Sequence, residues 1–147
     1  MSVGDPDQLL DLLAGQERFA SAFGNIEVVN QARSTLEAVH LVQLGARAGL
    51  VCQLTGLTKK VVSGLYPLLT GMPSPPGQVP FTDTWYLKNN HRMLHANLVW
   101  HLFQRLETTE RGAANILIHV YEVYLVIVDV PLLTLTRAFF VPRLVNI

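Results

Sequence analysis

The sequence predicts an all-α fold, a compact multi-helix domain built as two helical halves. From Gln31 onward, apolar residues recur every three to four positions, as one face of a helix requires, and the same spacing returns from about Asn89. Between these segments, GMPSPPGQVPF (71–81) contains four prolines, which remove backbone N–H donors and prevent a continuous helix. We expect this run to be a stiff hinge that joins the two halves.

The first 30 residues differ from the rest in charge. One arginine stands against five carboxylates in residues 1–30, a net charge of −4, so we predict an acidic extension that is partly helical. Asp5 and Pro6 are typical of the start of a short helix, which we expect over 5–15. Residues 16–30 lose clear periodicity, which indicates either a connection or a second short helix.

The remaining residues, 31–147, are expected to form one helical domain. Its first long helix is predicted from Gln31, with an apolar face made of Ala32, Leu36, Val39, Val42 and Ala46. The helix after Asn89 carries a row of leucines at four-residue steps, Leu94, Leu98, Leu102 and Leu106. A last short helix is expected to begin at Pro131 and to end at Pro142.

One segment in this domain is ambiguous. Residues 110–128 are rich in β-branched side chains and fit a strand on propensity alone. A single long strand in an otherwise helical chain has no partner for its edge, so we predict a helix. The most apolar window, 120–135, contains two carboxylates and a proline and falls short of the ~20 apolar residues of a membrane helix. We therefore expect it in the core or in an interface, and we expect no membrane contact.

The stretch LVCQLTGLTKKVVSGLY (50–66) has the spacing of a helix-turn-helix, which we expect at about 45–69. This motif needs a small residue where two helices cross, a glycine in the tight turn, and inward apolar residues in the second helix. The residues at these positions are Cys52, Gly56, Leu57, Val62 and Leu65.

The second helix of this motif carries the candidate DNA-binding residues. Thr58 is its expected N-cap, and Lys59, Lys60 and Ser63 then point outward from its N-terminal half, toward phosphates and base edges. Arg47 is a candidate contact to the DNA backbone. An ordinary αα-hairpin with two exposed lysines fits the same pattern equally well. Pro67 is expected to kink or end the second helix.

The charge and the cysteine content limit the class of partner and the cellular compartment. The net charge of the chain is zero, but residues 31–105 carry seven basic side chains against two acidic ones, a net charge of +5 that favours a polyanion. The single cysteine, Cys52, can neither pair within the chain nor supply a four-thiolate zinc site, and it suits a reducing cytoplasm. We expect a cytoplasmic protein.

Two other groups of residues are candidate sites. His91 and His95 have metal-ligand spacing on a helix but lack a third ligand, so we favour a buried polar contact for His95. Core packing is favoured over base stacking for the aromatic residues Trp85, Tyr86, Trp100 and Phe103. No nucleophile is paired with a base in the pattern, so we expect no enzyme activity.

Several segments carry a resemblance to a known family. They are QARSTLEAVHLVQLGAR (31–47), the LTGLT and LY pattern in the helix-turn-helix, GMPSPPGQVPFTDTWY (71–86), HAN (95–97) and PLLTLTRAFF (131–140). Over residues 31 to about 145, the chain resembles the flagellar transcriptional activator FlhC. The proline-rich run followed by Trp85 is the most specific of these segments.

The resemblance implies an all-helical subunit that joins the small helical protein FlhD in a heteromer, binds promoter DNA with it and activates flagellar operons. Family members carry a zinc site of four cysteines after the LTRA helix. The present sequence does not contain it, so we expect no cofactor in this chain. The family's recognition helix is also more basic than TKKVVSGLYPLLTG (58–71), in which Val61, Gly64, Pro67 and Thr70 stand at positions that tend to be charged.

Two functions are therefore compatible with the sequence. The first is a DNA-binding transcriptional regulator subunit that acts with an FlhD-like partner on motility operons. The second is a helical interaction module that binds an FlhD-like partner, or its own copy as a homodimer, without productive DNA contact. The turn geometry and the basic middle segment favour the first function, whereas the missing zinc segment, Pro67 and the zero net charge favour the second.

Overall fold

The computed structural model describes residues 26–76, 80, 82–107 and 112–145. Over these ranges the chain forms seven helices and no strand, which confirms the all-α prediction. The helices are α1 (Ile26–Gln43), α2 (Ala48–Thr55), α3 (Lys59–Thr70), α4 (Thr84–Leu87), α5 (Asn90–Leu106), α6 (Ala113–Ile127) and α7 (Leu135–Leu144). The helix predicted over 5–15 lies outside the described residues.

The start of α1 corrects one prediction. The helix begins at Ile26 and not at Gln31, so residues 26–30 are neither a connection nor a separate short helix, and residues 16–25 lie outside the described residues. This stretch contains neither glycine nor proline, and Glu27 in the first turn interacts favourably with the positive end of the helix dipole. The chain divides into two units between Ser34 and Thr35, and the packing described below is that of the second unit.

The apolar faces of the two long helices are only partly as predicted. In α1, Val42 is buried together with Ala38 and Leu41, but Leu36 is 70% exposed. Leu36 precedes Ala38 by two residues, which places it about 200° away around the helix, on the side opposite the core. The predicted face was therefore wrong at Leu36.

The leucine row predicted for α5 also lies only partly on the buried side of its helix. Ala96 and Val99 are fully buried, whereas Leu94 is 66% exposed. Leu98, Leu102 and Leu106 are half-buried against the core. A four-residue step advances about 400° around an α-helix, so each leucine is displaced by about 40° from the one before it. The row therefore begins at Leu94 on the side opposite the buried face and turns toward that face by Leu106.

The centre of the second unit is α6, which packs against α2, α5 and α7. The helix predicted for this ambiguous segment is confirmed. Its buried residues are Ala114, Leu117, Ile118, Val120, Tyr121 and Tyr124. Burial of this apolar surface outweighs the weak preference of β-branched residues for strands, because measured propensities amount to less than about 1 kcal/mol per residue.

Both predicted ends of the last helix are wrong. α7 begins at Leu135, because the Thr134 hydroxyl accepts a hydrogen bond from the Arg137 amide at 3.2 Å and caps the helix there. Residues 131–133 stay outside the helix. Pro142 lies inside the last turn, and the helix continues past it to a bond from the Val145 amide to the Val141 carbonyl at 2.9 Å.

A buried polar contact joins α5, α6 and the segment before α7. The Tyr124 hydroxyl accepts hydrogen bonds from the amides of Leu132 and Leu133, at 3.0 and 3.1 Å, and lies 2.5 Å from Nδ1 of His95. Both lone pairs of the hydroxyl are thus occupied, so its proton is donated to Nδ1 of a neutral imidazole. The expected buried polar contact of His95 is confirmed. Burial lowers the pKa of His95, and the nearby charge of His91 lowers it further.

This contact predicts that the protein loses stability in mild acid. Below about pH 6.5, the unfolded chain takes up a proton at His95 that the folded protein resists, so the free energy of unfolding falls as the pH drops through that value. Urea unfolding at several pH values between about 5 and 8 would measure this slope. We expect His95→Asn to flatten it, whereas His101→Asn, at an exposed position of the same helix, serves as the control. An unchanged slope in His95→Asn would contradict the assignment.

Candidate nucleic-acid interface

The candidate interface is built on α2, α3 and the turn that joins them, which together we call the α2–α3 hairpin. α2 ends at Gly56, whose φ of 75° lies in the left-handed region that favours glycine and whose amide bonds to the Cys52 carbonyl at 2.9 Å. Thr58 is the N-cap of α3, since its hydroxyl accepts a hydrogen bond from the Val61 amide at 3.4 Å. The predicted turn glycine and cap are therefore found at these positions.

The apolar residues of the hairpin point toward the core. Val62 is fully buried, and Cys52, Leu57 and Leu65 are half-buried and pack against the core cluster. Because the same arrangement serves a helix-turn-helix and an ordinary αα-hairpin, this packing accounts for the fold of the hairpin and does not decide its function.

Pro67 does not end the second helix. α3 has 12 residues and runs to Thr70, with Pro67 inside it and Gly71 as its left-handed C-cap. Of the two expected outcomes, an end of the helix at Pro67 is wrong, and a kink at Pro67 stays a prediction. Pro67 removes one helical hydrogen bond, but the buried side chains of Val62 and Tyr66 hold α3 against the core.

The hydroxyl of Tyr66 sets the position of α3. Tyr66 is buried, and its hydroxyl donates a hydrogen bond to the carbonyl of Ala46, just before α2. Burial raises the pKa of Tyr66, so the hydroxyl keeps its proton at neutral pH. The bond joins two residues that are 20 positions apart and connects α3 to the residue next to Arg47.

Three of the five predicted DNA-binding residues meet at one open groove. Arg47 lies at the start of α2, and Lys59 and Ser63 lie one turn apart in the first half of α3. They line a cavity of about 630 Å³ together with Ala48, Gly49, Cys52, Ser74 and Pro75. We call this cavity the basic groove. Thr58 and Lys60 are exposed beside it but are not among its lining residues.

Ser74 is a groove residue that the sequence did not reveal. It lies in the proline-rich run, which is non-helical over 72–76, and its hydroxyl accepts a hydrogen bond from the Ala48 amide at 3.1 Å. The bond satisfies one of the free N–H groups at the start of α2. A serine among prolines predicts an irregular segment, but nothing in the pattern indicates which helix it contacts. The role of this run as a hinge stays a prediction.

The histidine pair and the aromatic residues are the remaining candidates from the sequence. Within the described ranges, no three histidine, cysteine, aspartate or glutamate side chains are grouped so that they could hold a metal ion. His95 is instead bonded to Tyr124. The aromatic residues pack as expected: Tyr86 is buried, and Trp85, Trp100 and Phe103 are half-buried against the core. None of the described helices is long and apolar enough to cross a membrane.

The fold and the basic groove define an all-α protein whose α2–α3 hairpin carries a recess lined by basic side chains. In a comparison with known protein families, residues 24–147 match the family described as Flagellar transcriptional activator (FlhC). The chain belongs to the FlhC family.

Named members of this family are similar over most of the chain. The flagellar transcriptional regulator FlhC of Enterobacter cloacae is 30% identical over 115 residues, 74% of this chain and 60% of that protein. The FlhC of Paraburkholderia atlantica is 32% identical over 122 residues, 79% of this chain and 56% of that protein. The FlhC of Variovorax paradoxus is 31% identical, over 79% of this chain and 59% of that protein. The chain thus spans about three fifths of the length of these relatives.

The Tyr66 hydroxyl is predicted to hold α3 in place. Tyr66→Phe leaves the buried Ala46 carbonyl without its donor, and we expect a loss of about 1–3 kcal/mol in the free energy of unfolding. Hydrogen exchange should show reduced protection across α3. Tyr121→Phe removes a hydroxyl bonded to the Leu133 carbonyl and is the matched control, because it should leave α3 protection unchanged relative to global stability. Equal exchange of α3 in both variants would contradict this role.

Proposed function

We propose that the chain is the DNA-binding subunit of a bacterial transcriptional regulator of the FlhC type, with the α2–α3 hairpin acting as a helix-turn-helix. The observation that supports it most is the basic groove. Arg47 and Lys59 line it, and none of its described lining residues is a carboxylate, so the groove is a cationic recess open to solvent. A DNA phosphate is attracted to such a recess by charge, and its oxygens accept hydrogen bonds from guanidinium, ammonium and serine donors.

In this proposal the residues of the hairpin have distinct roles. Thr58 caps α3 and directs its first free N–H groups outward, where the helix dipole favours an anion. Lys59 and Ser63 share one side of α3 and face the groove, whereas Lys60 is displaced by about 100° and extends the contact along the helix. Arg47 contacts the DNA backbone from the start of α2. The chemistry is recognition, as expected of a family of regulators and not of enzymes.

The proposed partner is an FlhD-like protein in the bacterial cytoplasm. Family membership supports it, and so does an exposed apolar segment at the end of α6, where Val126 is 85%, Ile127 54% and Val130 71% exposed. Contiguous apolar surface of this kind marks protein contacts more often than free surface. A second copy of the chain is the alternative occupant.

A second candidate function is favoured by the same apolar segment. Thr58, Lys59, Lys60 and Ser63 include only two charges, and few phosphate contacts give weak binding at physiological salt. An FlhC-like module that binds its protein partner without productive DNA contact would present this surface. The two functions differ in whether the assembled protein binds DNA in a salt-dependent manner.

The lysines of α3 are predicted to contact phosphates. We expect the double variant Lys59→Ala and Lys60→Ala to reduce the slope of log K against log salt by about two, roughly one for each contact removed. Fluorescence anisotropy with labelled duplex DNA over a salt series would measure the slope. Arg105→Ala, which removes an exposed charge at the far end of α5, should leave it unchanged. A wild-type slope in the double variant would remove the hairpin from the interface.

The partner is predicted to raise DNA affinity. The chain alone should bind duplex DNA only weakly, with a Kd of about 10⁻⁴–10⁻⁶ M at physiological salt, because the hairpin offers few contacts. Addition of an FlhD-like protein should tighten binding at least about tenfold if both subunits contact the duplex. Titration of the same duplex with the chain, the partner and their mixture would show this. Complex formation without DNA binding at any salt concentration would favour the interaction module.

A further inference from the structure

A second group of basic side chains surrounds Trp85, beyond the basic groove. The Arg92 Cζ lies 4.1 Å from the centroid of the Trp85 ring, and the Arg137 Cζ lies 3.9 Å from it. Nη1 of Arg92 also donates a hydrogen bond to the Trp85 carbonyl at 3.2 Å. Arg47 is the third cation, since its charge acts on Arg137. We call Arg47, Trp85, Arg92 and Arg137 the arginine cluster.

The backbone around the arginine cluster is fixed by hydrogen bonds between distant segments. Tyr86 is buried, and its hydroxyl donates to the Arg137 carbonyl at 2.6 Å, which ties α4 to α7. The Arg47 amide donates to the hydroxyl of the buried Thr136 at 3.3 Å, which ties the start of α2 to the same turn of α7. The backbone that carries the guanidinium groups is therefore fixed before a ligand binds. Binding would cost little conformational entropy there.

The two arginines at the Trp85 ring, Arg92 and Arg137, are held close together by their shared contact with the indole. Burial lowers the pKa of Arg137, and the charges of Arg47 and Arg92 lower it further, although a guanidinium stays protonated at neutral pH. In the part of the chain that the structure describes, neither Arg92 nor Arg137 forms an ion pair with a carboxylate. Like charges held together repel one another, and a bound anion would relieve that repulsion.

We propose that the arginine cluster is a second contact for the sugar-phosphate backbone of duplex DNA, continuous with the basic groove. The inference rests on the proposed function. Arg47 belongs to both sites, because it lines the groove with Lys59 and interacts with Arg137 in the cluster. The cationic surface therefore extends from α3 across the start of α2 to α4, α5 and α7. A polyanion with regularly spaced charges fits such a track better than a single small anion does.

The chemistry of the side chains agrees with a phosphate ligand. A guanidinium stacked on an aromatic ring uses its face for the ring and leaves its edge N–H groups directed outward. Those edges match the oxygens of a phosphate in a bidentate geometry. Trp85 thus acts as a support for two arginines and not as a base-stacking platform.

The test removes charge at Arg92, which contacts the Trp85 ring and lies outside the basic groove. We expect Arg92→Gln to lower the salt slope of duplex DNA binding by about one, to the same extent for promoter and mixed-sequence DNA, because phosphates carry no sequence information. Arg92→Lys should keep the wild-type slope. Arg143→Gln is the matched control, since Arg143 also lies within 3.9 Å of an aromatic centroid, that of Phe139, in the same helix as Arg137. Circular dichroism would confirm that each variant is folded.

The outcomes separate this inference from the proposed function. A wild-type slope in Arg92→Gln, while the Lys59 and Lys60 double variant loses two units, would overturn the arginine cluster and leave the hairpin interface standing. The inference would also be overturned if Arg92→Gln weakened assembly with the protein partner and left the slope unchanged, because the cluster would then be a protein contact. Absence of salt-dependent DNA binding by the wild-type complex would defeat the proposed function and this inference together.

Discussion

The structure depends on how the short backbone between α1 and α2 is held. At Ala46 and Arg47 the chain leaves one helix and enters the next, and three hydrogen bonds meet there, two of them to distant segments. The Ala46 amide donates to the Leu41 carbonyl at 3.0 Å, the Ala46 carbonyl accepts from Tyr66, and the Arg47 amide donates to Thr136 at 3.3 Å. Each satisfies a buried or half-buried polar group that would otherwise cost about 1–3 kcal/mol. Together they fix α3 and α7 relative to the start of α2.

Tyrosine hydroxyls repeat this device elsewhere in the core. Tyr86 bonds to the Arg137 carbonyl, Tyr121 to the Leu133 carbonyl, and Tyr124 to His95 and two amides. An apolar core alone is tolerant of sliding, because hydrophobic burial has no direction. A buried hydroxyl has one productive position, so each of these bonds selects a single relative placement of two elements. Burial raises the pKa of Tyr86 and Tyr121 to about 12, which keeps both hydroxyls protonated as donors.

The same anchors that position the core also gather the positive charge. Arg47 and Arg137 follow directly after the anchored residues Ala46 and Thr136, so fixing the backbone also fixes the cations. Folding thus brings Arg47 to the same groove as Lys59, and Arg92 and Arg137 to the same indole ring, although the net charge of the chain is zero. Local field, and not total charge, governs attraction to a polyanion at distances within the Debye length.

The sequence by itself determined the elements whose causes are local. The all-α class, the turn at Gly56, the cap at Thr58 and the inward direction of Val62 follow from periodicity and backbone chemistry within a few residues, and the structure shows each of them. The DNA-binding roles of the outward residues stay predictions.

Only the tertiary structure decided what depends on contacts between distant segments. The sequence indicated that α3 kinks or ends at Pro67, but α3 continues to Thr70, and its residues Val62 and Tyr66 are buried in the core. It set the start of α7 at Pro131, but Tyr124 binds the amides that precede Leu135. The sequence did not indicate that Trp85 would lie between arginines from two other helices. Trp85 and Arg137 are 52 residues apart in the chain, and only folding brings them into contact. Local patterns specify helices and caps, whereas the partners of a side chain depend on the packing of the whole chain.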